Sequence, residues 1–227
     1  MIIPCIDLMG GKVVQLVQGR EKALEGGTPL EMLERFAAFP EIQAIDLDAA
    51  MGKGFNDDLV ELIASRAVAR VGGGVRSPER ARMLIEQGAH RVIVGTAAFQ
   101  RELLQEIADA VGPERLIIAL DSKGGKVVVK GWQQATEFTA EEVIRRFEPY
   151  CSGFLATYVD KEGMMQGTDL DWFRRLRAAT KHELTAAGGI TTIEEIRELQ
   201  KIGVHAALGM AIYTGRLSLK DLAGLGS

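Results

Sequence analysis

The sequence has few of the residues on which metal sites and nucleophilic catalysis depend. Only two cysteines and three histidines occur among 227 residues, and Cys5 and Cys151 lack the spacing of metal ligands. We therefore expect two free thiols and no metal. The formal net charge is −4, with acidic and basic residues nearly balanced, so composition predicts neither a nucleic-acid nor a membrane partner.

Long apolar segments, low-complexity stretches and linkers are also missing. Without a signal-peptide pattern at Met1 or an apolar run long enough to span a bilayer, the sequence indicates a cytoplasmic chain. Because no shift in composition marks a boundary, we expect one domain over residues 1–227.

What the chain does contain is a regular alternation of short β-branched runs with amphipathic stretches of helical length. This pattern predicts βα units and a parallel sheet. Strands are predicted at residues 2–8, 42–47, 67–71, 91–94, 116–120, 153–157, 183–186 and 205–208. Helices are predicted at 29–38, 57–65, 78–87, 102–110, 139–147, 170–178, 193–201 and 218–222. Eight units in this length favour an α/β fold of the (β/α)8 TIM barrel type, with a doubly wound open sheet as the main alternative.

An internal repeat favours the barrel. The segment from Ile6 to Val14 returns from Leu120 to Val128, at an offset of 114 residues. Two glycine-rich segments, 71–77 and 94–99, return at 187–192 and 208–213. We interpret the chain as two duplicated four-strand halves, about 1–114 and 115–227, that close into one barrel.

Each copy of the repeat brings one aspartate to the end of a strand. Asp7 ends strand 1 and Asp121 ends strand 5, and in a barrel the chemistry lies where the strands end. Either aspartate could instead be a helix cap or a turn residue. Their recurrence at symmetric positions favours a general acid and a general base that face each other. His90, His182 and His205 lie at the starts of strands, so we expect them on the opposite face.

Glycine-rich turns follow strands 3, 4, 7 and 8. Backbone N–H groups at such turns, next to a helix N-terminus, bind phosphate, although glycine can also simply permit a tight turn. Each half carries a pair of these turns, so we predict two phosphate sites and a ligand phosphorylated at both ends. The predicted phosphate-binding residues are Gly73, Gly74, Gly95, Thr96, Gly188, Gly189, Gly209 and Met210.

Together these features resemble the ProFAR isomerase family of histidine biosynthesis, the phosphoribosylformimino-aminoimidazole carboxamide ribotide isomerases. The likeness covers nearly the whole chain. It implies an Amadori rearrangement of ProFAR to PRFAR, in which a ribosylamine ring opens and an aminoaldose becomes an aminoketose, with no metal and no organic cofactor. The motifs that carry the likeness lie at 3–8, 12–14, 18–19, 46–48, 72–77, 95–97, 120–121, 129–132, 157, 188–190 and 209–215.

The resemblance also implies a role for each site residue. Asp7 would be the base that removes the C2 proton, Asp121 the acid that protonates the ring oxygen, and Thr157 a hydrogen-bond partner of the reacting sugar. Arg76 and Trp132 would pack onto the substrate from mobile loops, although a buried core position is the alternative for Trp132. Segment 18–28 is a lid candidate. The other residues implied to bind substrate are Gln18, Gly19 and Asp48.

Two departures from the family leave alternatives open. Where the family has Asp-Gly-Thr after strand 6, this chain has Glu162-Gly163-Met164, which lacks the hydroxyl. Cys5 is closer to the related cyclase subunit of imidazole glycerol phosphate synthase, whereas 126–132 fits the isomerase better. The alternatives are a dual-substrate isomerase that also accepts phosphoribosylanthranilate, the cyclase, and a phosphosugar-binding barrel without catalysis.

The expected partner is a small bisphosphorylated ribosyl substrate, and we expect a monomer.

Overall fold

The computed structural model describes residues 1–17, 21–129, 132–161 and 167–225. Within these ranges the chain forms twelve strands, and eight of them build a closed parallel barrel. The strands are β1 (Ile2–Met9), β2 (Lys12–Val17), β3 (Glu21–Glu25), β4 (Ile42–Asp46), β5 (Ala69–Gly72), β6 (Arg91–Val94), β7 (Leu116–Lys123), β8 (Lys126–Val129), β9 (Gln134–Ala135), β10 (Gly153–Tyr158), β11 (Glu183–Ala187) and β12 (His205–Leu208).

The barrel closes in the order β1-β4-β5-β6-β7-β10-β11-β12, with β12 pairing again with β1. Every pair in this ring is parallel. The prediction of a (β/α)8 barrel is therefore confirmed, and the open doubly wound sheet, which would leave two unpaired edges, is excluded.

Helices follow the barrel strands at the predicted places, within two residues at most ends. Three of them begin with a complete capping box, in which a threonine and a glutamate three residues later satisfy each other's backbone N–H groups. The helices are α1 (Pro29–Phe36), α2 (Leu47–Met51), α3 (Asp57–Ala64), α4 (Pro78–Glu86), α5 (Arg101–Val111), α6 (Ala140–Phe147), α7 (Leu170–Ala179), α8 (Ile193–Lys201), α9 (Met210–Tyr213) and α10 (Leu219–Ala223).

The main difference from the predicted pattern is a hairpin after β1 and another after β7. β1 turns back at Gly10 and Gly11 into the antiparallel β2, and β7 turns back at Gly124 and Gly125 into β8. All four glycines have positive φ, between 57° and 79°. This is the backbone that a two-residue hairpin turn with the sheet's own twist requires. The repeated Gly-Gly pairs therefore mark turns that the two duplicated halves share.

Apolar side chains fill both sides of the barrel wall. One large cluster lies between the strands and the helices, and a separate small cluster of five buried residues comes from alternate strand positions that face the barrel interior. Below it, at the end where the strands begin, Arg70 and Arg91 form ion pairs with Glu41 and Glu183. This buried charge network closes the bottom of the barrel, so the open end is the one where the strands finish.

None of the helices in the described part of the chain is long and apolar enough to cross a membrane.

Candidate active site

The alternation of side chains along the strands directs the predicted catalytic residues into the barrel. Cys5, Ile117 and Leu155 belong to the interior cluster, and side chains two positions apart on a strand share one face. Asp7 lies two residues after Cys5, and Thr157 lies two residues after Leu155. Asp121 lies four residues after Ile117. All three therefore face the interior at the carboxyl ends of their strands, as predicted.

The two aspartates lie on opposite sides of the mouth. Going round the ring, β1 and β7 are the first and fifth of eight strands, so three strands separate them in either direction. Thr157, on β10, is in direct register with Asp121 on β7. Asp121 therefore has the Thr157 hydroxyl beside it on the neighbouring strand.

Asp7 sits in an environment that disfavours its charge. Its side chain is largely shielded at the top of β1, and burial raises the pKa of this carboxyl to about 7. Tyr213 lies close by, donating its hydroxyl to the backbone oxygen of Cys5 at 3.0 Å. Burial and the Asp7 charge both raise the pKa of Tyr213. A carboxyl that titrates near neutral pH is suited to accept and release a proton during turnover.

Asp121 is partly buried as well, but it has hydrogen-bond donors. Burial raises the pKa of Asp121, while hydrogen bonds from Thr157 and Trp132 act in the opposite direction. The Trp132 indole Nε1 donates to Asp121 Oδ2 at 2.7 Å. The two aspartates therefore differ in environment despite their symmetric positions, which is the condition for giving them different roles in proton transfer.

Trp132 reaches the mouth, so its alternative assignment as a core residue is wrong. The side chain is only partly buried, and the residue is the one non-glycine with positive φ in the described part of the chain, at 65°. Such a conformation costs free energy in an L-residue and is found where surrounding contacts enforce it. The indole bond to Asp121 is one such contact.

Arg76 is an exposed residue whose guanidinium binds the neighbouring βα loop. Its guanidinium donates to the backbone oxygens of Ala49 at 3.2 Å and Ala50 at 2.6 Å, near the end of the short helix α2. This contact ties the loop after β5 to the loop after β4. The predicted contact between Arg76 and the substrate stays a prediction.

Asp48 belongs to a hydrogen-bond network that the sequence did not indicate. Asp48 Oδ2 accepts from the backbone N–H of Gly10 at 2.6 Å and from Asn56 Nδ2 at 3.0 Å. Asn56 also binds Gly11 N–H and the Asp46 carboxylate. The bonds from Asn56 and Gly10 lower the pKa of Asp48. Its predicted contact with the substrate remains untested, and its observed contacts are with the β1–β2 turn.

The predicted phosphate-binding residues lie on the same rim as the aspartates, in two groups. The first group follows the adjacent strands β5 and β6, and the second follows the adjacent strands β11 and β12. The groups therefore lie across the mouth from each other, on an axis roughly perpendicular to the one joining Asp7 and Asp121. The first group is Gly73, Gly74, Gly95 and Thr96, and the second is Gly188, Gly189, Gly209 and Met210.

These turns also match in backbone geometry. Gly95 and Gly209 occupy the same uncommon region, with φ, ψ of −97°, −115° and −111°, −96°. Gly73 and Gly189 have positive φ, and a Cβ on either would collide with a backbone oxygen of the preceding βα loop. Glycine is thus required for these loops to pack at the rim.

Histidines take no part in this arrangement. His205 lies at the start of β12, its Nδ1 3.6 Å from Glu183 in the network that closes the barrel bottom, and His90 lines a shallow depression on that same face. Among the described residues, no three His, Cys, Asp or Glu side chains are grouped so as to hold a metal ion.

Some predicted positions lie outside the described residues. These are Gln18 and Gly19 of the predicted substrate-binding set, and Glu162, Gly163 and Met164, where the sequence departs from the family pattern. Of the lid candidate 18–28, residues 21–25 form β3, which pairs with β2.

Three residues that contact the site or its turns are not predicted from the sequence. They are Tyr213, Asn56 and Asp160.

Comparison with known proteins gives a consistent picture over the whole chain. The family model described as "Histidine biosynthesis protein" matches residues 1–218. A protein of Myxococcus xanthus is 40% identical over 231 residues, one of Methanocaldococcus jannaschii is 38% identical over 228, and one of Methanococcus maripaludis is 36% identical over 231.

In each case the alignment covers 97% of this chain and 96 to 97% of the relative. All three relatives carry the name 1-(5-phosphoribosyl)-5-((5-phosphoribosylamino)methylideneamino)imidazole-4-carboxamide isomerase.

Proposed function

The chain belongs to the histidine biosynthesis protein family, and from this premise we propose that it is the isomerase for which its relatives are named. The reaction is the conversion of the aminoaldose ProFAR into the aminoketose PRFAR, an aldose–ketose isomerisation within one molecule. The observation that carries the proposal is the pair of opposed, partly buried strand-end aspartates lying between two groups of glycine turns.

The proposed substrate fits the layout of the mouth. The name of the relatives contains two phosphoribosyl groups, so their substrate carries a phosphate at each end. Two groups of glycine turns on opposite sides of the rim support a ligand of this kind, since backbone N–H groups at such turns bind phosphate. Such a ligand would place its central ribosylamine over the axis that joins Asp7 and Asp121.

Acid–base chemistry by two carboxylates accounts for the rearrangement. Asp121 donates a proton to the ring oxygen as the C1–O bond breaks, and Asp7 removes the C2 proton of the resulting iminium ion to give an enaminol. Asp7 then returns this proton to C1 while the C2 hydroxyl gives its proton to Asp121, which forms the ketose and restores both carboxyls. Asp7 suits the role of base because its pKa of about 7 makes it half ionised at neutral pH. Asp121 suits the role of acid because burial favours its protonated form, most strongly when a bound substrate excludes water.

Neighbouring residues orient the acid and the sugar. Thr157 and Trp132 both contact Asp121, so a sugar approaching this carboxyl also meets their polar groups. We propose that Trp132 exchanges its bond to Asp121 for packing against the substrate, with Arg76 closing from the loop after β5. In this mechanism each proton is moved by a side chain of the protein, and it uses no cofactor.

Turnover measurements on the purified protein test the proposal. Incubation with ProFAR should give PRFAR, and a side-by-side incubation with phosphoribosylanthranilate defines whether the smaller monophosphate is also accepted. A ProFAR analogue lacking one phosphate should bind more weakly than the bisphosphate. Absence of ProFAR isomerisation, together with ammonia-dependent formation of imidazole glycerol phosphate, would instead identify the cyclase reaction.

We also propose that the active unit is a monomer, because the Asp7 and Asp121 sites and both groups of glycine turns lie on one chain. Sedimentation of the active protein at assay concentrations tests this, and a stable dimer as the only active species would contradict it.

A further inference from the structure

Each of the two hairpin turns that follow the aspartates donates a backbone hydrogen bond to a carboxylate that follows the neighbouring barrel strand. In the first half, the Gly10 N–H donates to Asp48 Oδ2 at 2.6 Å. In the second half, the Gly124 N–H donates to Asp160 Oδ2 at 2.9 Å. Asp48 lies in the short helix α2, which directly follows β4, and Asp160 lies in the segment that directly follows β10. These two strands occupy equivalent places in the two halves.

The spacing from aspartate to fastened turn is identical in both halves. Gly10 follows Asp7 by three residues, and Gly124 follows Asp121 by three residues. Both glycines are first in a Gly-Gly turn with positive φ at each position. A chance surface contact would not be expected to recur at the same distance from each carboxylate of a duplicated site.

We propose that Asp48 and Asp160 are positioning residues, each of which holds the hairpin turn beyond one catalytic aspartate and thereby fixes that aspartate's strand end for proton transfer. This inference rests on the proposed function, since it assigns the fastened aspartates their roles in the isomerisation. It gives a function to Asp160, which lies near the mouth without facing the barrel interior.

The turn lies only three residues beyond the aspartate, so its conformation affects the position of the carboxylate. An aspartate at the very end of a barrel strand has a neighbouring strand beside it but only the hairpin beyond it. Asp7 is in register with Val14 of the returning strand β2, so movement of the turn moves the backbone that carries the carboxylate. Displacement of a catalytic group by about 1 Å can lower a rate by about 100-fold.

The two turns differ in how many of their backbone N–H groups are bonded to the neighbouring loop. Asp48 is backed by Asn56, which also binds the Gly11 N–H at 3.0 Å, so both amides of the first turn are held. In the second turn, Gly124 N–H is held by Asp160, an exposed side chain. We therefore assign the firmer hairpin to the base and the looser one to the acid, next to the loop that carries Trp132.

Substitutions at Asp160 test the inference without touching a residue that faces the substrate. Asp160→Ala removes the acceptor, Asp160→Asn keeps a carbonyl oxygen in its place, and Asp109→Ala is the matched control. Asp109 is an exposed aspartate on α5 that accepts a hydrogen bond from Gln105 at 2.8 Å. For each variant, kcat and KM with ProFAR are measured together with amide hydrogen exchange of the peptide that contains Gly124.

The inference predicts a specific pattern. Asp160→Ala should lower kcat about tenfold with KM changed less than about twofold, because the phosphate turns lie on other strands, and it should speed exchange at the 124–125 turn. Asp160→Asn should recover most of both properties, and Asp109→Ala should match the wild type. A purely structural role predicts instead a lower melting temperature with an unchanged kcat per folded molecule.

Two results would overturn the inference: wild-type kcat and exchange in Asp160→Ala, or equal defects in the alanine and asparagine variants. A wild-type protein that does not isomerise ProFAR would refute the proposed function, and with it the catalytic part of this inference. Hydrogen exchange would then still decide whether Asp160 holds the turn, so the two failures are distinguishable.

Discussion

Replacing Asp7 with asparagine is expected to stabilise the protein at neutral pH while it removes the proposed catalytic base. Burial raises the pKa of Asp7 from 3.8 to about 7, so the folded protein resists an ionisation that the unfolded chain undergoes freely. Asparagine has nearly the same shape and no charge to desolvate. The variant therefore removes a cost that the wild type bears in order to keep a base at this position.

The pH dependence follows from the direction of this shift. Below pH 3.8 the carboxyl is protonated in both states and contributes no penalty. As pH rises from about 4 to 7, only the unfolded chain ionises, so the wild type loses stability relative to the variant, and above pH 7 the difference stays constant. At about 1.4 kcal/mol per pKa unit the full shift corresponds to ~4 kcal/mol. Because Asp7 keeps some exposure to water, we expect about 2 kcal/mol.

Denaturant unfolding of both proteins at pH 4, 5.5, 7 and 8.5 measures this difference directly. The difference should be near zero at pH 4, grow through pH 5.5 and level off above pH 7. Asp109→Asn, at an exposed position on α5, is the control and should show no such trend. The reasoning is refuted if Asp7→Asn is less stable than the wild type at pH 8.5, or if their difference does not change with pH.

Two further predictions concern other parts of the chain. Trp132→Phe removes the indole donor at 2.7 Å, so the pKa of Asp121 should rise and the alkaline limb of the kcat/KM profile should move to higher pH; an unmoved limb would contradict the contact. Glu41→Gln takes one carboxylate from the two buried arginines at the barrel bottom and should lower the free energy of unfolding in urea by about 3 kcal/mol. Glu106→Gln, on the exposed face of α5, should change it by less than about 0.5 kcal/mol, and equal stabilities would contradict the assigned role of Glu41.

The barrel could be predicted from sequence because its strands and helices differ in the spacing of their apolar residues. Capping residues, prolines and glycines also mark where many of these elements begin and end. Ser77-Pro78 begins α4 as expected, and the strand predicted at 91–94 is observed with the same bounds. The hairpins after β1 and β7 are absent from the predicted pattern, because a Gly-Gly pair also marks the end of a strand. Paired glycines between two apolar runs also indicate a two-residue hairpin, and this signal was present in both halves.

Sequence could predict only those site residues whose position follows from their place on a strand. Strand-end location and side-chain alternation bring Asp7, Asp121 and Thr157 to the mouth, and both can be inferred from sequence. The contacts of Arg76 and Asp48 could not be inferred in this way, because they depend on how neighbouring loops pack against each other. Asp160 carries no local signal at all, since its only indication is the bond that its loop makes with a turn 36 residues earlier.

The central claim is that two opposed carboxylates divide the proton transfers of the isomerisation between them. Turnover of ProFAR by Asp7→Asn and by Asp121→Asn, with substrate binding measured on the same preparations, tests this claim most directly. We predict that each substitution lowers kcat by about 10²- to 10⁴-fold while the Kd for ProFAR changes only a few-fold, because the phosphate turns are intact. Near wild-type kcat in either variant would contradict the account.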